Sequence, residues 1–227
     1  KIWFPNKKRV VNVKKIEILQ RLEKAGVIAV VRRKTKEEAL QASQAIVKGG
    51  MHGLELTFTV PQADEVIREL SEAYQDSPEV VVGAGTVLDA VTARLAIMAG
   101  ADYIVSPTFD QETAEICNLY QIPYLPGCMT ITEMKQALKS GVDIIKLFPG
   151  SAYGPSIIPA FKAPLPQLNI MPTGGVSLDN MADWFEAGVI TVGVGGNLLA
   201  PAATGDFEKV TEVAAQYMTK FHEIKGH

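Results

Sequence analysis

Eight short apolar runs separated by helical patterns, a glycine stop that recurs after the helices, and a first strand-to-helix turn without a glycine cluster predict an α/β protein. The architecture they favour is a single-domain (β/α)8 TIM barrel. At 227 residues the chain fits one such barrel, a fold that runs to about 250 residues as one unit. An open doubly wound sheet is the competing arrangement. Its first turn usually carries GxGxxG, whereas this one reads Arg32-Arg33-Lys34-Thr35.

The elements follow in order. An amphipathic stretch over 16–25 ends at Gly26, and the apolar run 27–31 follows as the first strand. Thr35-Lys36-Glu37-Glu38 reads as a capping box, with the Thr35 hydroxyl and the Glu38 carboxylate satisfying backbone donors of a helix that runs to Lys48. Strands are expected at 54–58, 80–83, 103–106, 124–126, 144–148, 170–173 and 190–194. Helices are expected at 62–74, 89–100, 110–120, 132–140, 156–161, 179–187 and 207–222. Gly26, Gly100, Gly141 and Gly188 each close a helix in a left-handed conformation before a strand begins. The strands are apolar on both faces, as in VIAVV and DYIVS, which suits a parallel sheet covered by helices. Residues 1–12 differ from the rest and read as a basic extension, leaving 13–227 as the barrel.

Composition excludes several classes. There are 22 Lys+Arg against 25 Asp+Glu, a net charge of −3, so no broad positive field invites nucleic acid or an anionic membrane. Pro5 interrupts the basic segment and argues against a continuous DNA-reading helix there. No apolar run approaches the roughly 20 residues of a membrane span. Cys117 and Cys128 are too few for a disulfide framework and form no CxxC pair. Three histidines without HExxH give no metal signature, and no cofactor is expected.

In a barrel the chemistry lies at the C-terminal ends of the strands. Lys146 interrupts Ile144-Ile145-Lys146-Leu147-Phe148, a desolvated setting that favours the neutral amine, which is able to form a Schiff base with a ketone. Glu55, within Leu54-Glu55-Leu56-Thr57-Phe58, is a second ionisable residue in an apolar strand and can point inward to shuttle protons beside it. Arg32 follows strand one and Thr86 closes Gly83-Ala84-Gly85-Thr86. The glycine-rich ends Thr173-Gly174-Gly175 and Gly195-Gly196-Asn197, after strands seven and eight, suggest backbone N–H groups turned toward a phosphate. Cys128 and the methionines read as packing, Trp184 and Phe185 as barrel cover or an oligomer contact, and His52 as lying on the face away from catalysis. A structural ion pair remains the plain alternative for Lys146 and Glu55.

Taken together, Leu54-Glu-Leu-Thr-Phe-Thr59, Gly83-Ala-Gly-Thr86, Val105-Ser-Pro107, Leu125-Pro-Gly127, Ile145-Lys-Leu-Phe-Pro-Gly150 and Pro172-Thr-Gly-Gly-Val176 resemble the bacterial 2-keto-3-deoxy-6-phosphogluconate (KDPG) aldolase and 4-hydroxy-2-oxoglutarate aldolase family over residues 16–220. The resemblance implies a metal-independent, class I, Schiff-base aldolase. It would be a cytoplasmic homotrimer acting on a small phosphorylated 2-keto acid, with no nucleic-acid or membrane partner. It assigns the Schiff base to Lys146 and acid/base work to Glu55. Thr86 and Thr173 would line the pyruvate end with Arg32 nearby, and Gly174, Gly175, Gly196 and Asn197 would surround the phosphate. Some members carry serine where Asn197 stands. A differently catalytic phosphate-binding barrel, or an oligomeric scaffold, would share the glycine-rich ends without needing Lys146.

Overall fold

A computed structural model describes residues 13–226, so the extension expected over 1–12 lies outside the described residues. The strands are β1 (Val27–Val31), β2 (Gly53–Thr57), β3 (Val81–Gly85), β4 (Tyr103–Ser106), β5 (Tyr124–Cys128), β6 (Ile145–Leu147), β7 (Ile170–Pro172) and β8 (Val192–Val194). Between and around them run α1 (Lys14–Ala25), α2 (Lys36–Lys48), α3 (Ala63–Ala73), α4 (Ala90–Ala99), α5 (Gln111–Leu119), α6 (Ile131–Lys139), α7 (Ile157–Lys162), α8 (Met181–Glu186), α9 (Gly196–Leu199) and α10 (Phe207–Lys225). All strand pairs are parallel, in the order β7-β6-β5-β4-β3-β2-β1-β8, and a bridge between Thr173 and Gly193 joins the two ends. The chain is a (β/α)8 TIM barrel.

The helix stops behave as the sequence predicts. Gly26, Gly100, Gly141 and Gly188 have φ of 67°, 104°, 80° and 96°. Thr35 caps α2, its hydroxyl accepting from the Glu38 N–H at 3.2 Å. The expected capping box is only half formed, because the Glu38 carboxylate turns instead to Arg33, 3.3 Å away. A complete box lies at α6, where Thr130 and Glu133 satisfy each other's backbone N–H groups. The helix there begins one residue earlier than expected, at Ile131 rather than Thr132.

Two strands run further than expected. β3 continues through Gly83 and Gly85, and β5 through Gly127 to Cys128. These glycines are not turn residues. A side chain at Gly83 would meet the Tyr103 ring, and one at Gly85 would meet the Glu55 carboxylate. They are places where a neighbouring group needs the room.

Two apolar layers hold the barrel. The larger lies between strands and outer helices and includes Trp184, which is buried and therefore covers the barrel rather than an oligomer contact. The smaller fills the lumen with Ile28, Val81, Tyr103, Val105, Leu125, Ile144 and Met171, packed against Ile18 and Leu22 of α1. Helix α1 therefore crosses the N-terminal mouth of the barrel. Lys15 anchors it to Asp143 at 2.8 Å, and Arg21 donates to the Val80 carbonyl at 2.6 Å, both just ahead of strands. Burying Ile18 and Leu22 contributes about 1.5–3 kcal/mol each.

Candidate active site

Glu55 and Lys146 stand on β2 and β6, four strands apart, on opposite walls of the lumen. Their side chains meet across it, Lys146 Nζ donating to Glu55 Oε1 at 3.2 Å. Both are buried, at 1% exposure for Glu55 and 5% for Lys146. The contact exists because inward positions recur every second residue along a strand. On β6 that rule places Ile144 and Lys146 on the same face, and on β2 it places Gly53, Glu55 and Thr57 together.

The carboxylate is only half used. Glu55 Oε2 is buried without a hydrogen-bond partner, and so is Thr173 Oγ1. Buried oxygens of this kind usually have partners, so the Glu55 oxygen is an open acceptor and the Thr173 hydroxyl an open donor and acceptor. Gly85 leaves the space that the Glu55 carboxyl occupies. Beneath the pair, the Tyr103 hydroxyl donates to the Leu54 carbonyl at 2.7 Å. Burial, reinforced by the charges of Glu55 and Asp102, pushes its phenol well above the usual tyrosine range, so Tyr103 keeps its proton and serves as floor.

Above the pair, at the C-terminal mouth, a cavity of about 440 Å³ is lined by Val30, Arg32, Arg33, Phe148, Thr173, Gly174, Gly175, Gly193, Gly195, Gly196 and neighbouring apolar residues. Thr173 and Phe148 connect it with the lumen, the Phe148 ring lying 5.2 Å from Lys146 Nζ. Gly174 and Gly175 take φ of 88° and 79°, a tight left-handed pair, and a side chain at Gly175 would strike Ser151. Only glycine fits that turn without strain.

Five of the nine site residues expected from the sequence thus share one cavity: Arg32, Thr173, Gly174, Gly175 and Gly196. Lys146 and Glu55 lie below it as a pair. Thr86 sits at the end of β3 with a φ of 55°, unusual for a β-branched residue, and is outside the cavity lining. Asn197 is exposed on α9 and also outside it. Arg33 and Phe148 were missed. Phe148 lies two residues after Lys146, just past the end of β6, and an aromatic at a strand end is a signal that was available. Cys128 is buried, and burial pushes its thiol up to about 12, in keeping with packing. Among the described residues no cluster of three His, Cys, Asp or Glu could hold a metal, and no helix is long and apolar enough to cross a membrane.

The chain matches the family model for KDPG and KHG aldolase over residues 18–213. It belongs to that aldolase family. A 2-dehydro-3-deoxy-phosphogluconate aldolase of Treponema pallidum is 34% identical over 205 residues, 88% of this chain and 96% of that protein. A 2-dehydro-3-deoxy-6-phosphogalactonate aldolase of Escherichia coli is 33% identical over 88% of this chain and 96% of its own length. The crystal structure of KDPG aldolase from Legionella pneumophila, with pyruvate captured as a covalent carbinolamine intermediate, superposes with a TM-score of 0.79. It is 26% identical and covers 90% of this chain and 97% of that one.

Proposed function

We propose that this aldolase works by class I, Schiff-base chemistry without a metal, cleaving 2-keto-3-deoxy-6-phosphogluconate to pyruvate and glyceraldehyde 3-phosphate. It also cleaves 4-hydroxy-2-oxoglutarate to pyruvate and glyoxylate. The observation that carries this reading is the Lys146–Glu55 contact of 3.2 Å inside the lumen, beneath a cavity open to solvent. The carbinolamine of the Legionella relative supports it.

Across the 3.2 Å contact Glu55 Oε1 takes a proton from Lys146 Nζ, and the free amine attacks the C2 ketone. The resulting carbinolamine loses water with proton transfer through Glu55 and becomes a protonated imine. Removal of the C4-hydroxyl proton then breaks the C3–C4 bond. Its electron pair flows toward the imine nitrogen, giving glyceraldehyde 3-phosphate and a pyruvate enamine. Protonation of the enamine at C3 and hydrolysis of the imine return pyruvate and the free amine. Thr86, Thr173 and Arg32 attend the pyruvate end, and Gly174, Gly175, Gly196 and Asn197 the phosphate.

Treatment with pyruvate and borohydride should add one reduced pyruvate unit at Lys146, read by peptide mass. No adduct there would overturn the mechanism. The active form is proposed to be a homotrimer. Its support is an exposed apolar stripe, Leu88, Val91, Leu95 and Met98, running along and just ahead of α4. Sedimentation of Leu95→Lys should shift toward monomer.

A further inference from the structure

The mouth of the cavity carries two charged side chains, Arg32 and Arg33, both cationic, and no carboxylate lines it. The two differ in how they are held. Arg32 is exposed. The Arg33 side chain is only 12% exposed and is fixed from two sides: Nη1 reaches the Leu199 carbonyl at 3.4 Å, and Nη2 reaches Glu38 Oε2 at 3.3 Å. Glu38 is not part of the lining, so it stands behind the guanidinium. Leu199 ends α9, the short helix that begins at Gly196. Arg33 is therefore tied to the same segment that presents the glycine lip, facing the Gly174–Gly175 turn across one cavity.

We propose that Arg33 is the specificity residue for the phosphate end of the substrate, held ready by Glu38 and Leu199 so that this aldolase favours phosphorylated over unphosphorylated 2-keto-3-deoxy acids. It rests on the function proposed above and names the group that discriminates. A guanidinium has five N–H donors in a planar fork. One contact engages Nη1 and the other Nη2, and the remaining N–H donors of the fork suit the oxygens of a phosphate. Because the side chain is already ordered, little freedom is lost when the anion arrives. A free side chain such as Arg32 would lose more.

The test compares kcat/KM for 2-keto-3-deoxy-6-phosphogluconate and for 2-keto-3-deoxygluconate. Arg33→Ala should lower the first about 10- to 100-fold more than the second, the range for a charged hydrogen-bond partner. Arg33→Lys, which keeps the charge and the bulk, should recover part of that ratio. Equal losses on both substrates, or no loss on either, would overturn the proposal. Binding of inorganic phosphate, followed by calorimetry on the wild-type protein and on Arg33→Ala, gives a readout that needs no turnover. It should weaken by a similar factor in the variant, and unchanged binding would count against Arg33. If the wild-type protein neither cleaves substrate nor traps pyruvate, the aldolase mechanism fails while the phosphate measurement still decides the role of Arg33.

Discussion

The two halves of the barrel lumen are built from the same strands on the same inward face, yet they are different materials. Toward the N-terminal mouth stand Ile28, Val81, Ile144 and Met171, sealed by Ile18 and Leu22 of α1. One inward step further along the strands stand Glu55, Lys146 and Thr173, with two oxygens lacking partners. The step is two residues, about 6.6 Å. It changes Ile144 to Lys146 and Met171 to Thr173. The lower half stabilises the fold by apolar burial. The upper half works against it, since a buried ion pair seldom recovers the full cost of removing two charges from water.

The sharpest way to test this division is to remove the upper pair. Lys146→Met should abolish turnover and lower stability, because it leaves the Glu55 carboxylate buried alone. Adding Glu55→Gln should restore or raise the melting temperature without restoring activity. A double variant less stable than Lys146→Met would break the comparison. In the lower half, Leu22→Ala should cost about 2–5 kcal/mol in urea unfolding while leaving kcat near wild type at temperatures where the barrel is folded. Gly85→Ala places a methyl group against the Glu55 carboxylate. The expected loss is about 100-fold in kcat/KM, or about 2.7 kcal/mol, with a smaller effect on unfolding. Thr130→Ala, away from both halves, removes a helix cap and should cost about 1 kcal/mol of stability and no activity.

The contrast also explains what could be read in advance. Helix ends were legible because the same small-residue–Gly–apolar step recurs between a helical pattern and an apolar run, and the strands because both their faces are buried. Lys146 and Glu55 were legible because charged residues rarely sit in apolar strands without a reason. The course of β3 through Gly83 and Gly85 was not, because a glycine that yields space to Tyr103 or Glu55 looks the same in sequence as one that turns the chain. The Glu38 contact with Arg33 was hidden for a related reason: Thr35-x-x-Glu38 satisfies a local pattern, and a partner just before the helix drew the carboxylate away. The role of α1 as a seal was invisible too, since its amphipathic pattern does not say which surface it will cover.

That seal has a kinetic meaning. With Tyr103 beneath the Lys146–Glu55 pair and α1 across the opening below it, the described residues leave the upper cavity as the approach to Lys146. On the proposed mechanism the fragment bonded to the lysine is the innermost passenger, and the fragment nearer Gly174 and Gly175 stands between it and the exit. On that mechanism the shape of the vessel sets the order of departure: the outer fragment goes first, and the lysine-bound one waits for the water that follows it in.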